Sequence, residues 1–230
     1  SCTNSDIGFA GIMVRGNSVL VERNRIYSIG RKRNGESGCS TTSERHDHGI
    51  YIRAVSNPTI RRNVIYDSNR GYPIVVYGGT TTNLNIHHNT MSVKSPTGSP
   101  AGQIRLASTI NTANIRNNTS NNTQLGMFHL SGLTASAVSI SYNMSTSNMV
   151  TTSSVSGVQL SNNFQNTSNI GFINQSSNDF RLTSSSSAIN RGTTSGVPVV
   201  SDGKPDVGGY EYSVQNNTAS PLTPTGVKVQ

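Results

Sequence analysis

The chain has 230 residues, of which only 32% are hydrophobic, 6% aromatic and none tryptophan. That is too lean for an ordinary two-layer globule. The prominence of Asn, Ser, Thr and Gly leaves either a low-complexity disordered chain or a repetitive β-fold with a thin core and stacked polar turns. Eighteen Lys and Arg against ten Asp and Glu give a formal charge of +8, which favours an anionic partner: acidic polysaccharide, nucleic acid or a membrane surface.

Periodicity decides between the two classes. The first repeat opens with GIMVRG at 11–16, where Ile12 and Val14 point inward, and continues with VLVERN, where Val19 and Val21 point inward ahead of Asn24. An insertion over 29–47 follows. The second repeat reads HGIYIR at 48–53 (Ile50 and Ile52 inward), then TIRRN, with Pro58 and Ile60 ahead of Asn63. The third has PIVVYG at 73–78 (Ile74, Val76) and LNIHHN (Leu84, Ile86) ending in Asn89. The fourth has GQIRLA at 102–107 (Ile104, Leu106) and ANIRNN (Ala113, Ile115) ending in Asn118. The fifth has GMFHLSG at 126–132 (Phe128, Leu130) and VSISYN (Val138, Ile140) ending in Asn143. A sixth, VQLSNN, places Val158 and Leu160 ahead of Asn163. Such alternation means strands with one buried face.

Successive terminal asparagines are 39, 26, 29, 25 and 20 residues apart, so the repeats are of one size with variable loops. Asparagine tolerates left-handed backbone, and its amide both donates and accepts, so one per repeat predicts a hydrogen-bonded ladder rather than solvent-facing turns. Asn118 and Asn143 also lie in Asn-x-Ser sequons, which the ladder explains without glycosylation.

This pattern resembles bacterial right-handed parallel β-helix proteins of the pectate-lyase-like group, which includes polysaccharide lyases, uronan epimerases, some glycosidases and phage tailspikes. The resemblance covers roughly residues 8–212. It implies an all-β, single-stranded right-handed parallel β-helix of about six to eight turns over residues 1–212. DFRLTSSSSAINRG at 179–192 and DGKPDVGGYEY at 202–212 look like the group's closing segment, expected to cap the open end of the solenoid over 179–212. Residues 213–230 read as an extended tail or linker. Cys2 and Cys39 stand at nearly the same place ahead of equivalent strands at Gly11 and Gly49. Stacking would bring them together as a disulfide, the alternative being two unrelated thiols. The chain begins mid-motif at Ser1, so a removed signal and further N-terminal turns are expected, which fits a secreted or cell-surface protein of bacterial or phage origin.

Outward residues of the first strand of each repeat align as a stripe of Arg15, Arg53, Tyr77, Arg105 and His129, with Tyr51 beside it. Aromatic rings for sugar faces and guanidiniums for carboxylates suit an acidic polysaccharide; the alternative is a solvated face on which Arg stems cover apolar neighbours. The insertion re-enters through Glu44, Arg45, His46, Asp47 and His48. Breaking a uronan by β-elimination needs a base, a group that neutralises the carboxylate and an acid for the leaving oxygen. His46 or His48 is the candidate base, Arg53 or Arg105 the neutralising cation, and Tyr51 or Tyr77 the acid. Arg15, Asp47, Tyr77, Arg105 and His129 are the candidate substrate-binding residues. An epimerase needs the same parts, and the His-Asp cluster with HGIYI at 48–52 resembles that of mannuronan epimerases, although their Asp-Pro-His order is absent.

No cofactor is expected; calcium would have only Asp47, Asp67, Glu22 and Glu44 to draw on. His87 is expected to face outward, and His88 to sit at a corner beside Arg62 and Asn117, as a structural corner rather than a zinc site. No nucleic-acid module or spanning run occurs, so neither nucleic acid nor membrane is the expected partner. The oligomeric state is left open. The functional expectation is an exported lyase or epimerase acting on an acidic polysaccharide. Against it stand a non-catalytic binding or structural β-helix, such as a tail fibre, and a hydrolase, which would want two carboxylates at the site.

Overall fold

The computed structural model describes residues 10–29, 47–67, 71–92, 102–121, 126–150, 154–197, 203–213 and 227–229. The fold is all-β with parallel sheets. The first repeat supplies β1 (Ala10–Asn17), β2 (Val19–Glu22) and β3 (Arg25–Tyr27). The second supplies β4 (His48–Ser56), β5 (Thr59–Arg61) and β6 (Val64–Tyr66), and the third β7 (Ile74–Thr81), β8 (Leu84–His87) and β9 (Thr90–Ser92). In the fourth, β10 (Ile104–Arg116) spans both of the first two strand positions before β11 (Thr119–Asn121). The fifth has β12 (Phe128–His129), β13 (Thr134–Ser141) and β14 (Met144–Ser145), and the sixth β15 (Val158–Ser161). Each strand pairs in parallel with its counterpart in the neighbouring repeat, giving an 11-stranded sheet joined through β10 and a 5-stranded sheet of order β14-β11-β9-β6-β3.

The alternation read from the sequence sets the core. Val14, Ile50, Ile52, Ile74, Val76, Ile104, Leu106, Phe128 and Leu130 pack in one cluster with Val21, Ile60, Ile86, Ile115 and Ile140 from the second strands. Registering identical positions, such as Ile50 with Ile74, Ile74 with Ile104 and Ile104 with Phe128, puts apolar on apolar at every step. A one-residue slip would expose the whole set.

The asparagines form the ladder, and Asn63, Asn89, Asn118 and Asn143 are fully buried. Each donates through backbone N–H and Nδ2 to Oδ1 of the next: Asn63 to Asn89 at 3.0 and 2.9 Å, and Asn89 to Asn118 at the same distances. Spare amide hydrogens reach the carbonyls of Val21, Ile60, Ile86 and Ile115. The left-handed residue, however, is the one before each asparagine. Arg23, Arg62, His88, Asn117, Tyr142 and Asn162 all have φ between 52° and 56°, and that reversal turns the following amide inward. Three of these six, Arg23, Arg62 and Tyr142, are not residues that favour the left-handed region, at on the order of 1 kcal/mol each, so the ladder bonds sustain the bend. An outer polar row runs in the opposite sense, Asn57 donating to Asn17 at 3.0 Å and Asn83 to Asn57 at 2.8 Å.

Phe164 still pairs in parallel with Met144, and the chain leaves the stack beyond Thr167. β16 (Phe172–Asn174), a 3-10 turn at Gln175–Ser177 and β17 (Asp179–Leu182) form an antiparallel pair. The segment expected to cap the open end instead lies along the flank, over the 5-stranded sheet. Phe180 packs on Tyr66 with ring centroids 5.6 Å apart, Thr193 exchanges two hydrogen bonds with Asn117, and the Gly209 N–H donates to Thr90 Oγ1 at 2.8 Å. That face carries Val64, Tyr66 and Met144, apolar side chains that need cover. Of the expected tail, Val227–Val229 forms β18, antiparallel to β2; Cys2 and Cys39 lie outside the described residues.

Candidate functional site

Parallel registration places Met13, Tyr51, Val75, Arg105 and His129 in one row across β1, β4, β7, β10 and β12, a strand spacing apart. The expected single stripe is therefore two rows, because Tyr77 registers with Ala107 and not with Arg105. The register of the buried pairs, Ile104 with Ile74 and Leu106 with Val76, sets Arg105 beside Val75 and leaves Tyr77 one outward position further along. Gln103 and Met127, expected to point outward, are buried just ahead of β10 and β12. Arg15 and Arg53, both exposed, belong to the second row with Tyr77, which is about half exposed.

The rows converge on a residue that the sequence reading missed. Tyr72 is fully buried outside the main core, packing with Val75 and Tyr51. Its hydroxyl is 2.6 Å from Nδ1 of His129, and its ring stacks on His48 at 5.9 Å between centroids. The Arg105 guanidinium lies between two tyrosines, its carbon 5.6 Å from the Tyr72 ring centre and 5.5 Å from that of Tyr77, in cation–π range. Its Nε is buried without a hydrogen-bond partner in the described structure. No acidic side chain pairs with Arg15, Arg53 or Arg105 among the described residues. The only signal for Tyr72 in the sequence is its place in Gly71-Tyr72-Pro73 just ahead of β7, where strand alternation gives no direction.

Gly71 makes this arrangement possible. Its φ is +90°, and a Cβ there would stand 2.0 Å from the carbonyl oxygen of Asp47. That close approach lets the Tyr72 N–H donate to Nδ1 of His48 at 3.0 Å. A neutral His48 then carries its proton on Nε2, so neither ring nitrogen is placed to accept one from a substrate; the geometry makes His48 a positioning residue rather than a base. Asp47 is fully buried at the start of β4, which removes it from substrate contact. His46, Glu44 and Arg45 lie outside the described residues.

Tyr51 is partly buried beside His48, and desolvation raises its pKa above the ordinary phenol value although Arg53, Arg15 and Arg105 oppose the rise. It stays a protonated donor at neutral pH. Arg53 lies across Gly78, whose missing side chain leaves the guanidinium room; a Cβ there would be 3.3 Å from Arg53 Nε. Beyond Tyr77 and Arg105 an open groove of about 630 Å³ continues over Gly78, Gly79, Ser108 and Gly132. Small and hydroxylated residues form its floor, and the ring and guanidinium form one wall.

The His87–His88 corner is built differently from expectation. Both residues are buried, His87 included, because the flanking segment covers the corner: Arg116 donates to the Gly196 carbonyl at 2.6 Å and the Gly208 N–H to the Asn117 carbonyl at 2.8 Å. The two Nδ1 atoms are 2.8 Å apart. Desolvation first, then the neighbouring His88 and the Arg116, Arg61 and Arg62 guanidiniums, hold His87 down to about 2. Desolvation and the same arginines hold His88 at about 3. Both rings are neutral structural groups at physiological pH. Among the described residues no three His, Cys, Asp or Glu side chains come together as a metal site.

Compared with protein-family models, curated proteins and solved structures, the chain matches none.

Proposed function

We propose that the chain is a right-handed parallel β-helix of an exported protein, and that its Tyr51–Arg105–His129 face binds an acidic polysaccharide and cleaves it by β-elimination around Arg105. The observation that carries this reading is Arg105 itself, a guanidinium held between two tyrosine rings at the head of an open groove, with no carboxylate partner among the described residues. A cation so placed attracts a uronate carboxylate and stabilises the charge that develops when the adjacent carbon loses its proton. His129 is the neighbouring residue in the row, its Nδ1 2.6 Å from the Tyr72 hydroxyl, and the tautomer this reading requires donates from Nδ1 to that hydroxyl and keeps Nε2 as the basic nitrogen. Tyr77, on the other side of Arg105, is the proton donor for the leaving oxygen, and Tyr51 offers a ring for an adjoining sugar.

A non-catalytic binder is the second reading, favoured by the absorption of Asp47 and His48 into the fold. Incubation with alginate, pectate and glycosaminoglycans separates the two. Ultraviolet absorbance from an unsaturated uronate on any one of them, abolished in Arg105→Gln, supports the lyase. A flat trace on all, with Arg105-dependent binding to one, moves the assignment to the binder. No binding to any polyanion refutes both.

A further inference from the structure

We infer that the open end of the stack at β15 is a self-association surface, joining two copies of the chain across a two-fold axis near Leu160. The inward aliphatic of the second strand is fully buried in every earlier repeat, at Val21, Ile60, Ile86, Ile115 and Ile140, yet its equivalent in β15, Leu160, is 48% exposed. Val158, two residues earlier, is only half-buried. β15 pairs with β13 on one edge and with no strand on the other among the described residues. A bare edge with an exposed core position is a template for another strand.

Among the described residues no segment pairs with this edge, because the chain beyond Thr167 turns back along the flank. The occupant is therefore a second molecule, and charge points to another copy. Between Arg116 and Asp179 there is no Asp, Glu, Lys or Arg, so every formal charge of this +8 chain lies elsewhere in the sequence. Two strongly basic copies meet at least cost where neither presents charge, and an uncharged edge offers nothing to an ionic partner. Arg191 reaches only the corner, its guanidinium over the Phe164 ring at 5.6 Å. Head-to-tail stacking lacks a free edge at the second-strand position, since β18 already pairs with β2 at the opposite end. A two-fold pairing of β15 with β15 closes after two copies and continues the sheet in antiparallel sense.

Sedimentation of the full chain over a range of concentrations tests this. A monomer–dimer equilibrium is expected, strengthening as added salt screens the repulsion between basic bodies. Leu160→Lys, at a position already half in solvent, places like charges together at the axis and should weaken the dimer at least tenfold, with circular dichroism and thermal unfolding of the monomer unchanged. Because an unfolded variant would also fail to dimerise, Gln159→Lys, on the outward face of the same strand, provides a second variant expected to weaken it. A chain that stays monomeric at its highest soluble concentration, or a dimer that both variants leave intact, overturns the proposal.

Discussion

Asn118 sits in the middle of the buried ladder, where a single substitution tests whether the amides hold the stack. Its Oδ1 accepts from the Asn89 backbone N–H at 3.0 Å and from Asn89 Nδ2 at 2.9 Å. Its own Nδ2 is within 3.0 Å of Asn143 Oδ1 and of the Ile86 and Arg116 carbonyls. In Asn118→Ala the Asn89 N–H loses its acceptor, at about 1–3 kcal/mol for an orphaned buried donor, and the remaining lost bonds add about 1 kcal/mol each. The total is about 5–7 kcal/mol, or a melting-temperature drop of roughly 10–28 °C in a chain of this size. Asn24→Ala is the control. Asn63 Oδ1 keeps the Asn24 backbone N–H, so no donor is orphaned, and the loss should be about 1 kcal/mol. Asn118→Asp preserves shape and the acceptor but turns a second oxygen toward three acceptors in a buried site, and should cost several kcal/mol more than alanine. Urea unfolding followed by circular dichroism measures all three. Equal losses for Asn118→Ala and Asn24→Ala, or an aspartate variant as stable as the alanine variant, would refute a directional ladder.

The histidine corner makes stability fall with acid. His87 and His88 are depressed to about 2 and about 3 in the fold against 6.5 in the open chain, so the unfolded state binds more protons below that value. Their contribution is complete above about pH 6.5 and declines by on the order of 1.4 kcal/mol per pH unit per histidine as pH falls toward the folded values; unfolding curves from pH 7 to 4 check this, and His87→Asn should flatten the slope. Gly71→Ala forces a Cβ against the Asp47 carbonyl at positive φ, and thermal unfolding should show a loss of about 3 kcal/mol or more. Tyr72→Phe removes the hydroxyl on His129 while keeping the packed ring. On the elimination reading, initial rates of product absorbance should fall about tenfold or more while polyanion affinity changes little.

Most of the core and the ladder were legible because aliphatic alternation and asparagine recur together. Neither a helix nor a disordered chain repeats Val21, Ile60, Ile86, Ile115 and Ile140 at one offset from an asparagine. The left-handed position was less legible, since Arg23, Arg62 and Tyr142 occupy it and none advertises that geometry in sequence. The site was legible at Tyr51, Arg53, Tyr77, Arg105 and His129 as outward residues, but not in its rows, because the register of Ile74 with Ile104 sets Arg105 beside Val75 and Tyr77 beside Ala107. Tyr72 was hidden because it lies before a strand and meets His129 across a sequence separation of 57 residues. The course of the segment beyond Thr167 was hidden for a related reason. Its apolar residues, Ile170, Phe180, Leu182 and Val207, have no period that names the surface they cover.

The stack separates what holds it together from what it presents. Inward aliphatics and buried amides supply the stability, so outward positions on β4, β7, β10 and β12 are free to carry chemistry at little structural cost. Arg53 shows this directly: it is exposed, lies over a glycine and has no ion pair among the described residues. Its replacement by glutamine should change stability by no more than about 0.5 kcal/mol. Arg105 is half-buried, its Nε shielded from solvent, and adds two ring contacts, worth about 0.5–1 kcal/mol each at exposed sites. Neither side chain is needed to close the fold, yet Arg105 is held between the Tyr77 ring of β7 and the Tyr72 ring just ahead of that strand. An arginine oriented that firmly, with no carboxylate opposite it among the described residues, is the group on which the proposed binding of an anion rests.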